Sequence, residues 1–489
     1  MKISIDNFKT LKSLEEFEFR PFTLITGVNS SGKSSLIQFL LLIKQTLEKP
    51  ATNAALNLDG DILELGIFED IIYQKNTQNC LIIIIEIDDI EYPFPNYEPL
   101  KIKSCQVRVY IKYSGERIVV DTVEFNYYIP DTIKKDQFLR FKLDGDNYSM
   151  TANTGLFNND FFILPALEEK DRLKGNILFS SFFPQLFTTQ IKNPDYGKSE
   201  NGDEKQSTSE FEKLLEQTKA EPYKQYSIEP NTKLIQEFIT RWFERISYIG
   251  PLREEPSEFY SSNKSGSYIG VKGEYAAFIL EKEADNIVTY QKMEMDSDGL
   301  ISFSTQQEKL LVAVNHWICD IFKLAKRIYS IEVQDRYQVR VENNYGVEST
   351  IKHVGFGVSQ LLPIIVEGLR MSKNSMLILE QPEIHLHPKI QGQLFDFFYS
   401  LITIGKTVLI ETHSDHLLVR MRRRIAEDSK DELLSLISLK FVETGETSHY
   451  FENIELTDLG GIQRFPKDFI EQQEDYRAIV KAQARRKLK

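Results

Sequence analysis

The chain has 489 residues, of which 41% are hydrophobic, 27% charged and 11% aromatic, with 59 Lys and Arg against 72 Asp and Glu for a formal charge of −13. That length accommodates two or three folding units, and the composition excludes a wholly disordered, collagen-like or repeat-dominated chain. The acidic balance argues against a surface coated throughout by nucleic acid but leaves room for a local basic strip.

Residues 2–26 alternate short apolar stretches with turns, which predicts strands, the last over 22–26. A glycine-containing loop follows at Gly27, and residues 33–47 are apolar all round without Gly or Pro, which predicts a buried helix. Short β-branched and aromatic runs separated by Gly, Pro and Asp predict an antiparallel meander over about 57–143. The polar stretch 192–209 reads as a surface loop or a disordered excursion, and helical spacing resumes over 229–246. A long helix is expected over 303–322, strands over 328–341, and a loop entering a helix over 355–369. The compact apolar runs 375–379 and 407–410 suit buried strands flanking a helix at 389–401. The tail 476–489 reads as a basic helix. Cys80, Cys105 and Cys319 lie far apart with no C-x-x-C pairing, so neither a zinc site nor a disulfide framework is expected and a reducing cytoplasm is the natural setting. No signal h-region opens the chain, and the strongest apolar runs are too short to span a membrane.

Gly27-Val28-Asn29-Ser30-Ser31-Gly32-Lys33-Ser34 satisfies G-x-x-x-x-G-K-[S/T] between a predicted strand and a predicted helix. Such a loop turns backbone N–H groups onto phosphates, adds the positive helix terminus and the Lys33 charge, and offers the Ser34 hydroxyl to Mg²⁺. Nucleoside triphosphate binding is therefore expected, with Asn29, Ser30, Ser31, Gly32, Lys33, Ser34 and Ser35 as its contacts. A metal-holding acid belongs at the end of a buried strand, and Met376-Leu377-Ile378-Leu379-Glu380 ends in Glu380. A water-orienting base is expected beside it, yet the next residue is the amide Gln381, with Glu383 as a substitute. His413, after the strand at 407–410, is a γ-phosphate sensor candidate. Gly355-Phe356-Gly357-Val358-Ser359-Gln360 precedes an apolar helix and is either a second phosphate reader or a capped helix start. His385, His387, His413 and His416 lack a supporting Cys or third carboxylate at zinc spacing. The basic runs 420–424 and 485–489 read as solvated faces or as DNA or protein contacts.

Taken together, the segments 27–34, 355–360, 377–387 and Thr412-His413-Ser414 resemble the ABC-type ATPase head shared by SMC, RecF and OLD-like proteins. The pieces 65–70, 248–253 and 465–469 look like a bacterial single-head subset of AAA-type ATPases, several of which belong to anti-phage defence systems. In that family two heads sandwich ATP, so the resemblance implies an ATP-dependent homodimer with Gly357 and Ser359 facing the partner's nucleotide. It further implies that Glu380 stands where the metal acid is usually Asp, that Gln381 stands at the usual catalytic Glu, that 385–388 is the interface loop and that His413 is the switch histidine. The signature departs from the usual Leu-Ser-Gly-Gly-Gln.

The expected fold is an α/β P-loop ABC-type ATPase head with an antiparallel β meander and a helical insertion. Its expected parts are 1–150 with the phosphate loop and meander, 151–330 as a largely helical insertion, 331–455 with signature, metal-acid strand and switch histidine, and 456–489 as a tail. Three functions compete. An ATP-hydrolysing, Mg²⁺-dependent dimeric switch would drive a separate effector, by resemblance a nuclease in anti-phage defence. An ATP-binding sensor or scaffold would turn over little because of Gln381. A DNA repair or maintenance ATPase would touch DNA directly. A nuclease within the chain is disfavoured, since few residues follow His413 and they hold no Asp-x-Asp pair.

Overall fold

The computed structural model describes residues 1–464 apart from 29–31, 51–53, 93–99, 131–134, 154–155, 159–162, 165–172, 191–222, 228–229, 263–267, 298, 431 and 446–447. The expected loop at 192–209, the tail helix at 476–489 and the pieces 465–469 and 485–489 lie outside the described residues. Two compact units are formed, one from Met1–Glu18 and Leu40–Glu244, the other from Phe19–Phe39 and Arg245–Lys489. This division differs from the expected boundaries at 150, 330 and 455. The chain passes from one unit to the other inside the helix Lys33–Glu48, between Phe39 and Leu40.

The first unit is built on a twelve-stranded antiparallel sheet. Leu81–Tyr92, Leu100–Ser114, Arg117–Tyr128, Asp136–Asp144 and Asn147–Ala152 pair in succession, which is the expected meander. Period-2 patterning drives it: Leu81, Ile83, Ile85 and Ile87 are buried while the residues between them are not fully so. Gly115 and Glu116 both have positive φ in the two-residue turn between Ser114 and Arg117, the conformation whose twist matches a hairpin. Helix Pro230–Glu244 starts on a proline, whose missing N–H is no loss in a first turn. Its Phe243 and Glu244 carbonyls accept from the buried Lys44 ammonium at 3.3 and 3.2 Å.

A six-stranded sheet centres the second unit, in the order 246–249, 376–380, 407–411, 22–27, 437–444, 449–453. All neighbours are parallel except the last pair. Leu377, Ile378, Leu379, Val408, Leu409 and Ile410 are wholly buried, as expected of parallel strands covered on both faces. Helices Phe356–Arg370, Pro388–Ile402 and Asp415–Glu427 supply the covering layers and share one apolar core with the strands. This topology sets the carboxyl ends of strands 246–249, 376–380, 407–411 and 22–27 along one edge, where α/β sheets hold their ligands.

Two expectations about the middle of the chain are corrected. Residues 303–322 are not one helix: Ile301–Lys309 is a strand paired with Ile287–Met295, and helix begins only at Leu310, running to Asn315 and on through the wider-turned His316–Ile321. Alternation in Ile301-Ser302-Phe303-Ser304-Thr305 has period 2, and that governs over the apolar content that follows. The segment 151–330 is accordingly mixed rather than largely helical, with strands Leu173–Ser180, Phe183–Gln190 and Tyr223–Ser227 also among its described residues. The basic run at 420–424 is engaged in part inside the fold, with Arg424 buried and Arg423 exposed. Arg424 meets the wholly buried Asp396 through Nε and Nη2 at 2.7 and 3.2 Å, Arg420 reaches the same carboxylate at 3.5 Å, Arg422 donates to the Gly460 carbonyl and Arg423 to Glu427.

Candidate functional site

Strand Phe22–Gly27 leads through the glycine loop into helix Lys33–Glu48, so the helix N-terminus opens at the carboxyl edge of the sheet. Gly32 has φ +85°, a conformation costly for any side-chain-bearing residue. Lys33 is 4% exposed, and its ammonium donates to the carbonyls of Gly27 at 3.1 Å and Val28 at 2.7 Å. Burial lowers the Lys33 pKa and the Glu411 charge opposes that shift. The Ser34 hydroxyl donates to Glu411 Oε2 at 2.9 Å, and Ser35 N donates to the Gly32 carbonyl. Asn29, Ser30 and Ser31 lie outside the described residues.

Across the sheet, Glu380 and Glu411 are direct register partners on adjacent parallel strands. Adjacent strands lie about 4.8 Å apart, so the two side chains leave the sheet as neighbours and their charges repel. Glu411 is pushed up to about 7, first by burial and then by the Glu380 charge, with the Ser34 hydrogen bond and Lys33 pulling the other way. Burial also raises Glu380, against hydrogen bonds from Tyr248 and Ser34 and the charge of Arg253. The Tyr248 hydroxyl donates to Glu380 Oε1 at 2.7 Å.

Beyond Glu380 the chain turns sharply. Gln381 adopts φ +45°, its N–H donates to the Glu411 carbonyl at 2.7 Å, and its carbonyl accepts from Arg253 Nη1 at 2.9 Å. Glu383 Oε1 accepts the His413 N–H at 2.8 Å, which ties the turns after the two strands together, while its buried Oε2 has no partner among the described residues. Arg253 is 7% exposed, and its Nε and Nη2 are likewise buried without partners among the described residues. Burial lowers its pKa to about 10, opposed by Glu383, Tyr248 and Glu380, so it stays charged at neutral pH. The His413 ring sits at the surface, with its pKa lowered by partial desolvation and then by the Lys33 charge.

Lys33, Ser34, Glu380, Gln381, Glu383 and His413 thus meet at one sheet edge, tied through Glu411 and Arg253. Gly357 and Ser359 share none of these hydrogen bonds. The Ser359 hydroxyl is turned into its own helix and donates to the Phe356 carbonyl at 2.8 Å, and the exposed Phe356 ring lies 5.8 Å from that of His385. Among the described residues a Cβ at Gly357 would meet only Leu324, in ordinary contact, so no described neighbour requires glycine there. His387 caps helix Pro388–Ile402 by accepting the Lys389 N–H. Among the described residues no group of three or more His, Cys, Asp or Glu is placed to hold a metal.

Sequence reasoning passed over Glu411, Tyr248 and Arg253. Glu411 did carry a signal, since it is an acid closing a buried strand as Glu380 does. Tyr248 and Arg253 bound the family-like piece 248–253 but were given no site role, because they reach the site only when strand Ile246–Ile249 pairs with Met376–Glu380.

A central phosphate-loop strand, an intervening strand and an acid-bearing strand, with loop and acids converging at their carboxyl ends, define a P-loop ATPase fold. The chain belongs to the AAA ATPase domain family, whose model matches residues 1–418. No curated protein matches the chain. Among solved structures, the SMC head domain from Thermotoga maritima is similar at 8% identity and TM-score 0.35, covering 93% of this chain and 98% of that one. An Smc head with an extended coiled coil, bound to the C-terminal domain of ScpA derived from Pyrococcus furiosus, is similar at 12% identity and TM-score 0.32, covering 93% and 96%. An SmcHead bound to the C-winged helix domain of ScpA is similar at 11% identity and TM-score 0.32, covering 93% and 98%. At such scores the fold assignment rests on the strand order and the phosphate loop.

Proposed function

We propose that the chain binds Mg-ATP at this sheet edge and uses binding or hydrolysis as a switch for a separate partner. The observation that carries the reading is the convergence of Lys33 and Ser34 with Glu380 and Glu411 through the Ser34 hydrogen bond. The donor set fits the cofactor: a buried ammonium and a helix N-terminus for phosphates, a hydroxyl and carboxylates for a hard cation. When bound, Mg²⁺ neutralises charge on the β- and γ-phosphates. Lys33 would exchange its two carbonyl acceptors for phosphate oxygens. Glu383, whose Oε2 is buried without a partner among the described residues, would take a proton from an attacking water in place of Gln381. His413, joined by its backbone to that same carboxylate, would report the γ-phosphate to the turn after the second strand.

Two heads sharing the nucleotide agree with Gly357, whose lack of a side chain no described neighbour demands and which would let a partner's phosphate approach. An effector nuclease in anti-phage defence is the partner the family resemblance favours. A second reading, an ATP-dependent scaffold with little turnover, is favoured by Gln381, an amide at the base position with its backbone pinned on both sides.

Calorimetry with ATP and Mg²⁺, followed by steady-state phosphate release, tests the reading. The wild-type chain should bind and hydrolyse ATP, Lys33→Ala should abolish both, and Glu383→Gln should lower turnover by about 100-fold or more while retaining binding. Binding without turnover selects the scaffold, and absence of ATP binding overturns both readings.

A further inference from the structure

We propose that Glu411 is a second acidic ligand, beside Glu380, for the divalent cation that accompanies the nucleotide, so that the cation is held by Ser34 and by carboxylates from two neighbouring strands. The inference rests on the nucleotide-binding reading above and goes beyond it by assigning a ligand from the strand between the phosphate loop and the Glu380 strand.

The first support is register. Glu380 and Glu411 are Cα partners in a parallel pair, and at equal register parallel strands direct their side chains to the same face. Ser34 supplies the second. Its hydroxyl donates to Glu411 Oε2 at 2.9 Å and lies near enough to Glu380 to hold that carboxyl's pKa down, so the oxygen the loop would offer a cation stands beside both acids. One hydroxyl carries one proton and cannot satisfy both carboxylates at once.

Charge makes the third support. Glu411 is 4% exposed and Glu380 is 9% exposed, and buried carboxylates need an ion partner, a metal or a proton. Two protein cations are near, but among the described residues neither is hydrogen-bonded to the pair: Lys33 donates to the Gly27 and Val28 carbonyls, and Arg253 donates through Nη1 to those of Pro251 and Gln381, so each acts on the acids only through its charge. An independent mark is Glu383, nine-tenths buried with Oε2 unpartnered among the described residues, whose charge adds to the repulsion on Glu411. Two carboxylates and a hydroxyl, completed by phosphate oxygens and water, suit an octahedral Mg²⁺, which binds through one or two carboxylates together with the substrate's phosphates.

Binding, rather than turnover, tests this. Affinity for a non-hydrolysable ATP analogue is measured by calorimetry in EDTA, and Mn²⁺ affinity of the protein–analogue complex by electron paramagnetic resonance, for wild type, Glu380→Gln, Glu411→Gln and Glu411→Asp. Glu411→Gln should weaken Mn²⁺ binding about tenfold or more while leaving analogue affinity in EDTA unchanged or tighter, because a negative charge near the phosphates has gone. Glu411→Asp, which keeps the carboxylate, should recover part of the Mn²⁺ affinity. If Glu411→Gln binds Mn²⁺ within about twofold of wild type while Glu380→Gln loses it, Glu411 only orients Ser34 and the proposal fails alone. If wild type binds no analogue, the nucleotide reading fails and takes the proposal with it.

Discussion

Lys406 is a buried ammonium, 4% exposed, that donates to the Gly368 and Leu369 carbonyls at 2.8 and 2.9 Å. Both carbonyls lie near the end of helix Phe356–Arg370, where the helix dipole favours a cation. Burial outweighs that attraction and that of Glu367, lowering the Lys406 pKa to about 8. The sign of the pH effect follows. Between pH 8 and the ordinary lysine value the unfolded chain binds the extra proton, so this group makes folding more favourable as pH rises through that window. The gain from pH 7.5 to 9.5 should be about 2 kcal/mol. Urea unfolding of wild type and Lys406→Met at the two pH values checks this: the difference between the two proteins should shrink or invert with pH, and a constant difference would count against it.

At the scale of elements, the pair of helices Pro388–Ile402 and Asp415–Glu427 is joined by a charge that no solvent reaches. Asp396 is wholly buried and Arg424 is 2% exposed, and their two-point contact is reinforced by Arg420. Removing one member of a buried pair strands the other, so Asp396→Asn should destabilise the second unit by about 3–5 kcal/mol, readable as a lowered denaturant midpoint. A loss under about 1 kcal/mol would mean that the arginines find other acceptors. This pairing engages Arg424 and part of Arg420 inside the fold, while Arg423 of the same run stays exposed beside Glu427. The helix Phe356–Arg370 shows a second close approach: a Cβ at Gly368 would lie 2.7 Å from Phe397 and 2.9 Å from Leu401, so this glycine sets the distance between two helices.

For the molecule as a whole, chain order and spatial order diverge. The second unit's sheet draws its central strand from residues 22–27 and its neighbours from the distant 407–411 and 437–444. A chain beginning at residue 50 therefore loses a buried parallel strand from the middle of that sheet. Trp317, wholly buried in the second unit's core, reports on it once Trp242 is replaced by Phe. In that background the shortened chain should show no cooperative Trp317 fluorescence transition on heating. A transition at the full-length midpoint would show that the sheet closes without its central strand.

The phosphate loop was legible in one dimension because its chemistry is local: eight consecutive residues between a strand and a helix contain the glycines, the lysine and the hydroxyl. Glu380 was legible for a similar reason, as an acid ending an apolar run. The hairpin at 287–309 was not, because apolar content alone does not separate period 2 from period 3.6 near a strand-to-helix junction. Likewise the Gly357 and Ser359 pattern before the helix could be found in one dimension, but the inward turn of Ser359 onto Phe356 could not. What composition, periodicity and motif determined by themselves was the class of fold, the phosphate loop and the acid paired with it. Only tertiary structure decided that Glu411 stands level with Glu380, that Tyr248 and Arg253 close the same site, and that Glu383 is bound to the backbone of His413. Those relations depend on the register of strands far apart along the chain, and register is set by burying whole faces of the sheet at once, which no local window contains.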